Sequence, residues 1–332
     1  MISVVIPAYR NPSDVRVLVE SLEARCRSAP PFEIIVVDDG SGDPEFDRVA
    51  ANHPRVRLLR LPSNAGASTA RNVGARAAAF DVLLFLDSDM EVQTDVASIV
   101  SEMFQRPDVA AVVGAVDPEP RNPTPFTRFW GLLKAYSLPR GEYSSTFYPM
   151  IGAIRRDVFE AIGGFDERIR GASVEDYEIS MRLRAAGVRV LYNPALLVRT
   201  GYHPMWKSLR QSFSRSGKWL LLVFAEDRHF DNHTTTSYQA AGVVTGTCLF
   251  ASFCLALVSW QFLPAFAVLF ALYGWVNRRF LAYVARHASP AFLITAIPLH
   301  VLLSLVICAG VAGALPFLLV ERQRRLLRVY RA

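Results

Sequence analysis

The chain is poor in cysteine. Cys26, Cys248, Cys254 and Cys308 are all that 332 residues carry. Three lie in apolar stretches and one in an expected helix, so they form neither a metal-ligand spacing nor a disulfide framework. A reducing, cytoplasmic setting for the soluble part fits that scarcity. Internal repeats and low-complexity tracts are also missing, which excludes solenoid and array architectures. The opening residues lack a basic region and a long apolar run, because Met1 leads straight into Ser3-Val4-Val5-Ile6-Pro7; no secretory signal is expected. Charge shows the most informative absence. No Asp, Glu, Lys or Arg occurs in residues 240–262 or in residues 291–320.

Hydrophobic residues make up 52% of the chain, and the excess is uneven. Up to Glu226 the sequence reads as a mixed soluble domain, and beyond Tyr238 it turns apolar. A helix over 240–262 is long enough to span a hydrocarbon core of about 30 Å. Residues 264–276 are apolar but short, and a helix there is read as extending into 277–286. Residues 291–320 are interrupted by Pro298, Gly310, Gly313 and Pro316. Much of the net charge of +6 is arginine beside these stretches: Arg278, Arg279 and Arg286 flank one, and Arg322, Arg324, Arg325, Arg328 and Arg331 follow the last. Such clusters mark the cytoplasmic side of a membrane and contact anionic lipids. The basic residues track the apolar segments, so membrane lipids rather than nucleic acid are the expected partner. The reading is a multi-pass inner-membrane protein whose N-terminal domain faces the cytoplasm. An even number of crossings follows, as two spans plus a re-entrant or interfacial segment, or as four short ones.

Residues 2–8, 32–39, 56–61, 82–86 and 109–116 read as buried strands, and 188–193 as a later one. Helical spacing appears over 13–27, with Ser13 as N-cap, and over 65–79, 157–162 and 173–186. Strands alternating with helices imply an α/β fold with a mainly parallel sheet. Residues 117–149 are rich in proline (Pro118, Pro120, Pro123, Pro125, Pro139) and read as irregular, with a short helix near Phe129–Tyr136. Residues 203–223 read as an interfacial helix. Lys207, Arg210, Ser214 and Lys218 form one stripe, beside Trp206, Leu209, Phe213 and Leu220.

Two acidic signals close apolar, β-branched runs: Val36-Val37-Asp38-Asp39-Gly40-Ser41 and Phe85-Leu86-Asp87-Ser88-Asp89. Ligands of open α/β sheets bind outside the carboxyl ends of the strands. Four carboxylates gathered there need a cation, and a divalent metal with a nucleotide diphosphate supplies that balance. Asp-x-Asp suits Mg²⁺ or Mn²⁺, which prefer hard oxygen ligands. Between the two signals lies Asn64-Ala65-Gly66-Ala67-Ser68-Thr69-Ala70-Arg71-Asn72. A glycine at a helix start admits close phosphate approach, and Arg71 one turn in can pair with it. Glu175-Asp176 stand at another helix start, where acids are favoured in any case. His229 and His233 are spaced i, i+4 in a polar stretch, which read as a metal pair is weak.

In this order, Ser3-Val4-Val5-Ile6-Pro7-Ala8-Tyr9, Val37-Asp38-Asp39-Gly40-Ser41, Asn64-x-Gly66 with Ala70-Arg71-Asn72, and Asp87-x-Asp89 resemble the N-terminal half of family-2 glycosyltransferases of the GT-A fold. Gly152-Ala153, Gly163-Gly164-Phe165-Asp166-Glu167 and Glu175-Asp176 resemble the second half, so the likeness covers residues 2–203. It implies a Rossmann-like sheet flanked by helices. It places Pro7 and Tyr9 along the nucleotide, Asp39 on the base, Asp38 in support of its loop, and Asp87 near ribose and metal. Asp89 would bind the metal, with His203 as a further ligand. Asp176, beside Glu175, would be the general base, and Arg71 would stabilise the leaving diphosphate. The organisation expected is a catalytic domain over 1–203, an interfacial helix and linker over 204–238, transmembrane helices over 239–320 and a basic tail over 321–332.

The activity implied is an inverting, metal-dependent transfer from a nucleotide-sugar donor to a lipid-linked acceptor, either a hydroxyl or a polyprenyl phosphate. A phosphate oxygen is already ionised and hardly needs a base, so Asp176 leans the reading towards a hydroxyl. A processive polysaccharide synthase is the nearest rival. Its Gln-x-x-Arg-Trp element is not matched by Gln211, Arg215 and Trp219, which have the wrong spacing. A nucleotidyltransferase gives no reason for Glu175-Asp176. A non-catalytic membrane scaffold sits badly with intact Asp39, Asp87, Asp89 and Asp176.

Overall fold

The computed structural model describes residues 1–139, 141–169, 174–225 and 237–319. In chain order the elements are β1 (Ile2–Ala8), α1 (Pro12–Arg25), β2 (Phe32–Asp38), α2 (Glu45–Asn52), β3 (Val56–Arg60), α3 (Ala67–Ala77), β4 (Val82–Leu86), β5 (Met90–Val92), α4 (Val96–Met103), β6 (Ala111–Val116), α5 (Pro125–Tyr136), β7 (Tyr143–Ser144), β8 (Ile151–Arg155), α6 (Arg156–Ala161), α7 (Glu175–Ala185) and β9 (Val190–Thr200). They are followed by α8 (Met205–Ala225), α9 (Ser237–Val258), α10 (Leu263–Val276), α11 (Arg278–His287) and α12 (Leu293–Leu319). The chain divides into two compact units. One comprises Met1–Arg121 and Leu138–Gly201; the other comprises Asn122–Ser137 and the described residues from Tyr202 onward. Helix α5 therefore belongs with the later helices, although it falls inside the segment expected to be catalytic.

The first unit is a single mixed sheet in the order β3-β2-β1-β4-β8-β6-β9-β5, with β7 beside β9. The pairs β1–β2, β2–β3 and β1–β4 are parallel, as the strand–helix alternation predicts. From β8 onward antiparallel pairs join in, at β4–β8, β6–β8 and β5–β9. The strands β1 and β4 are buried along their whole length, which is why their sequences run apolar without alternation. Successive side chains still part to opposite faces. Val4, Ile6, Ile34, Val36, Leu84 and Leu86 pack with Val15, Leu18, Val19 and Leu22 of α1. Val5, Ile35, Val37, Leu83 and Phe85 pack with Ala70 and Ala75 of α3 and Ile179 and Leu183 of α7. Full burial of each such side chain stabilises by roughly 1.5–3 kcal/mol, and the two layers hold the strand ends in register. Helix α3 lies close on the sheet because of Gly74, where an added Cβ would stand 2.4 Å from Val5 Cγ1.

Several boundaries differ from the sequence reading, each for a local reason. Helix α1 starts at Pro12 with Asn11 as N-cap, not at Ser13; proline lacks the N–H that a first helical residue leaves unused. Strand β9 continues past Pro194 to Thr200, through a register shift between Val113 and Ala115 of its partner β6. Pro194 sits at that irregularity, outside the regular ladder. Strand β5 is only three residues long, too short to show a period, and it is secured by antiparallel pairing of Met90 with Thr200.

In the second unit α8 spans two residues later than read, and its apolar stripe divides. Leu209 and Leu220 are buried, whereas Trp206 and Phe213 are exposed. Helix α8 meets α12 through small residues: a Cβ on Gly310 would stand 2.3 Å from the Phe213 carbonyl oxygen. Phe129 and Leu132 of α5, Phe280 and Val284 of α11, and Ala296 form a separate apolar cluster. The stretch after Pro264 does not run on as one helix. Asn277 breaks it, its N–H and Nδ2 both bonding to the Tyr273 carbonyl at 2.9 and 3.0 Å, so α10 and α11 are distinct. Two segments, Gln239–Val258 and Pro290–Phe317, are long and apolar enough to cross a membrane, and only 22% and 17% of their most apolar windows are buried in the protein. His229, His233 and the arginines of the tail lie outside the described residues.

Candidate active site

The carboxyl ends of β1, β2 and β4 and the N-terminal turns of α3 and α7 assemble the predicted residues of the first unit. Pro7 and Ala8 pair with Val37 and Asp38 in the sheet register, which brings the β1 exit beside the acidic loop. Pro7 is buried and Tyr9 is exposed, with the Arg10 guanidinium 5.0 Å from its ring centroid. Arg10 has φ of 55°, a left-handed conformation held by its N–H bond to Ser41 Oγ at 2.8 Å. Non-glycine residues adopt it at a cost, and such outliers cluster at functional sites. Nothing in the spacing of the sequence marked Arg10.

Asp38 is fully buried. Its Oδ1 accepts from the Ser41 N–H at 2.9 Å, and Arg60 Nε stands 3.6 Å from Oδ2. The adjacent Asp39 reaches across to the next helix, its two oxygens accepting from the N–H groups of Ala65 and Gly66 at 2.7 and 2.9 Å. Gly66, with φ of 99°, is the N-cap of α3, a conformation that favours glycine. Asn64 is exposed just before it.

At the end of β4, Asp87 Oδ1 accepts from Arg71 Nη2 at 2.7 Å. Arg71 is only 3% exposed; its Nη1 lies 3.7 Å from Glu175 Oε1, and the Phe165 ring centroid is 5.3 Å from its guanidinium carbon. Burial alone would lower the Arg71 pKa, but the charges of Asp87 and Glu175 outweigh it and the net shift is upward. Among the described residues, no cation is bonded to the Asp89 carboxylate. Burial first, then the charges of Asp87 and Asp14, push its pKa up to about 7. Arg121 stands nearby, but its Nη1 donates to the Asp89 backbone carbonyl at 2.9 Å and to Asp14 Oδ1 at 3.2 Å. Glu175 is buried in the first turn of α7, and Asp176 beside it is half-buried. The turn is anchored through Ser180, whose Oγ donates to the Asp176 carbonyl and accepts from the Phe147 N–H.

The donor set fits a hard divalent cation. Asp87 and Asp89 offer carboxylate oxygens, and burial together with the charges of Asp87 and Asp14 makes Asp89 a carboxylate whose ionised form a cation would favour. Among the described residues no three His, Cys, Asp or Glu side chains form a ready metal cage, so these two carboxylates would hold the ion with oxygens from outside the chain. His203 lies in the second unit, where its carbonyl accepts from Ser208 Oγ at 3.2 Å. Three further contributors escaped the sequence reading of the site. Asn72 clasps the Gly-Gly-Phe segment, its side chain bonding both the N–H and the carbonyl of Phe165 at 2.9 and 2.8 Å; its place in Ala-Arg-Asn was the available signal. Asp14 and Arg121 come from α1 and a proline-rich loop far apart in sequence, and no spacing could join them.

Comparison with known proteins agrees with this architecture. The family described as "Glycosyl transferase family 2" matches residues 3–163, and "Glycosyltransferase like family 2" matches residues 141–238. The chain belongs to glycosyltransferase family 2. It is 33% identical over 205 residues to the pre-mycofactocin glycosyltransferase of Mycobacterium tuberculosis, a match covering 59% of this chain and 42% of that protein. It is 29% identical over 175 residues to the undecaprenyl-phosphate 4-deoxy-4-formamido-L-arabinose transferase of Yersinia enterocolitica, covering 50% and 52% respectively. The chain thus spans about half the length of these curated relatives. The solved structure of the mannosyltransferase PcManGT from Pyrobaculum calidifontis, in complex with GDP-Man and Mn²⁺, aligns over 95% of this chain and 86% of its own, with a TM-score of 0.56 and 17% identity. The fold is accordingly GT-A.

Proposed function

We propose that the protein is a membrane-attached, metal-dependent, inverting glycosyltransferase that moves a sugar from a nucleotide-sugar donor to a lipid-linked acceptor. The observation that carries the reading is the joining of Asp39, Asp87 and the Glu175–Asp176 turn around α3 at the carboxyl ends of parallel strands. Pro7, Tyr9, Asp38, Asp39, Asn64 and Gly66 line the nucleotide side. Asp39 spends one lone pair of each oxygen on the Ala65 and Gly66 amides that lead into α3 and keeps others for a base edge. Asp87 and Asp89 would hold Mn²⁺ or Mg²⁺, which when bound would supply positive charge against the leaving diphosphate. Asp176 accepts the proton of the acceptor hydroxyl as that oxygen forms its bond to the anomeric carbon. The bond from that carbon to the diphosphate oxygen breaks, and the electron pair leaves with the nucleoside diphosphate. A single displacement of this kind inverts the anomeric centre.

The membrane part of the reading draws on the two long apolar helices and on the large side chains they turn outward, including Val258 and Ile294, 83% and 81% exposed. The undecaprenyl phosphate named for the Yersinia relative supports a lipid-linked acceptor. Residues 321–332 are proposed as a cytoplasmic tail, with the catalytic domain on the same side of an inner membrane.

The test uses the full chain in detergent with Mn²⁺, a panel of radiolabelled nucleotide sugars and total bacterial lipid. Label from one donor should enter the organic phase and should be lost with Asp89→Ala and with Asp176→Asn. Nucleotide binding without lipid labelling would move the acceptor to a soluble or polymeric class. No nucleotide binding at all would sink the enzyme reading.

A further inference from the structure

We infer that Arg71 is a positioning residue that ties the metal-side carboxylate Asp87 to the acceptor-side helix α7 through Glu175, and is not a ligand of the leaving diphosphate. The naming of those two sides rests on the proposed function. A guanidinium that binds phosphate must offer its fork to the cleft. That of Arg71 is 3% exposed and covered by the Phe165 ring. Its Nη2 is spent on Asp87 at 2.7 Å, and Nη1 points to Glu175 across 3.7 Å, beyond hydrogen-bond range. Nε and Nη1 are buried without a hydrogen bond.

A buried fork left partly unsatisfied calls for an explanation. Arg71 faces two carboxylates and is hydrogen-bonded to one of them. A divalent ion on Asp87 competes with Nη2 for that carboxylate. The guanidinium then has a second carboxylate within reach, and Nη1 needs to close less than an ångström to bond Glu175. Loading of the strand end is thereby felt on the turn that carries Asp176. The neighbouring residue acts in the same direction. Asn72 bonds Phe165 and reaches Glu167 Oε1 at 2.9 Å, so two successive residues of α3 fasten the segment leading to α7.

The experiment is a thermal double-mutant cycle on the full chain in detergent, with and without Mn²⁺, using Arg71→Met, Arg71→Lys and Glu175→Gln. Without metal, Arg71→Met should lower Tm by roughly 5 °C or more, because it removes the hydrogen bond to Asp87 and the buried cation facing Glu175. In the Glu175→Gln background that loss should be about halved, since the attraction between Arg71 and Glu175 is already gone. Mn²⁺ should raise the Tm of Arg71→Met more than that of the wild type, the ion replacing the missing cation at Asp87. Should Arg71→Met not fold, Arg71→Lys carries the same cycle, because a lysine ammonium cannot fork between two carboxylates. Strictly additive Tm changes would overturn the inference. So would an Arg71→Lys protein of unchanged Tm whose affinity for a nucleoside diphosphate fell roughly tenfold, an outcome that returns Arg71 to the phosphate. Mn²⁺ without effect on any form would instead sink the metal reading, while the Arg71–Glu175 coupling would still be decided by the metal-free cycle.

Discussion

The α/β unit and the helical unit differ in what they turn inward. The first buries charge at its strand ends, with Asp38 at 0%, Asp39 at 4% and Arg71 at 3% exposure, and encloses them between two apolar layers. In the second, the buried polar groups are neutral (Ser252, Asn277, Ser304), while Trp206, Leu257, Trp260 and Trp275 face outward. Its helices approach through small residues, as where a Cβ on Gly246 would stand 2.7 Å from Ser304 Oγ. Water solvates the surface of the first unit, so polarity can be concentrated where chemistry needs it. The second has the distribution expected where lipid is the solvent, because no hydrophobic force then drives apolar side chains inward. The contrast supports a catalytic head and a membrane anchor.

The largest test of the head is its charge. Asp89→Ala should lower sugar transfer by about 10³-fold or more, measured as labelled lipid at saturating Mn²⁺, since several kcal/mol of leaving-group stabilisation goes with the ion. Asp176→Asn should cost about 10²- to 10⁴-fold with a hydroxyl acceptor, through kcat and with nucleotide affinity kept. Unchanged transfer by Asp176→Asn to polyprenyl phosphate would show that the acceptor brings its own ionised oxygen. The matching test of the anchor is Phe250→Arg, at a 42% exposed position inside α9. In lipid it should cost about 2.5–3.5 kcal/mol and deplete the protein from carbonate-washed membranes. In water it would be almost neutral, and an unaltered membrane fraction would refute the anchor.

The head was more legible in sequence than the anchor, for physical reasons. Buried parallel strands must be apolar throughout, so β1, β2 and β4 announce themselves, and the acids that end them stand out against that background. The partners of those acids were hidden. Asp39 closing on the amides of Ala65 and Gly66, and Arg71 turning to Asp87 and Glu175, are decided by how the sheet edge and two helices meet. Neither follows from residue spacing. In the helical unit, composition gave length and apolarity but not breaks. The Asn277 stop has no proline or glycine of its own, and the assignment of α5 to the helical unit rests on its packing with Phe280 and Val284.

A subtler comparison separates the two acids of Asp-x-Asp. Asp87 has Arg71, whereas among the described residues no cation is bonded to the Asp89 carboxylate, so the two should respond oppositely when their charge is removed from metal-free protein. The folded pKa of Asp89 is raised from 3.8 to about 7. A carboxyl raised in this way binds its proton more tightly folded than unfolded, so its contribution to stability is complete below about 3.8 and is lost as pH rises through about 7. At pH 5 the group is protonated in the folded protein but already ionised in the unfolded chain, so part of that contribution is gone and Asp89→Asn should raise Tm modestly, by less than at pH 8. At pH 8 the same substitution should stabilise the metal-free protein by on the order of 2 kcal/mol, less than the full shift implies because Asp89 keeps some contact with water. Asp87→Asn should destabilise at both pH values by stranding Arg71. Saturating Mn²⁺ at pH 8 should reverse the first result, raising the Tm of the wild type above that of Asp89→Asn. Melting curves of the two variants at pH 5 and 8, with and without Mn²⁺, decide it. An Asp89→Asn protein less stable than the wild type at pH 8 without metal would mean that Asp89 already has its cation in the fold, and the site would lose its claim on a divalent ion.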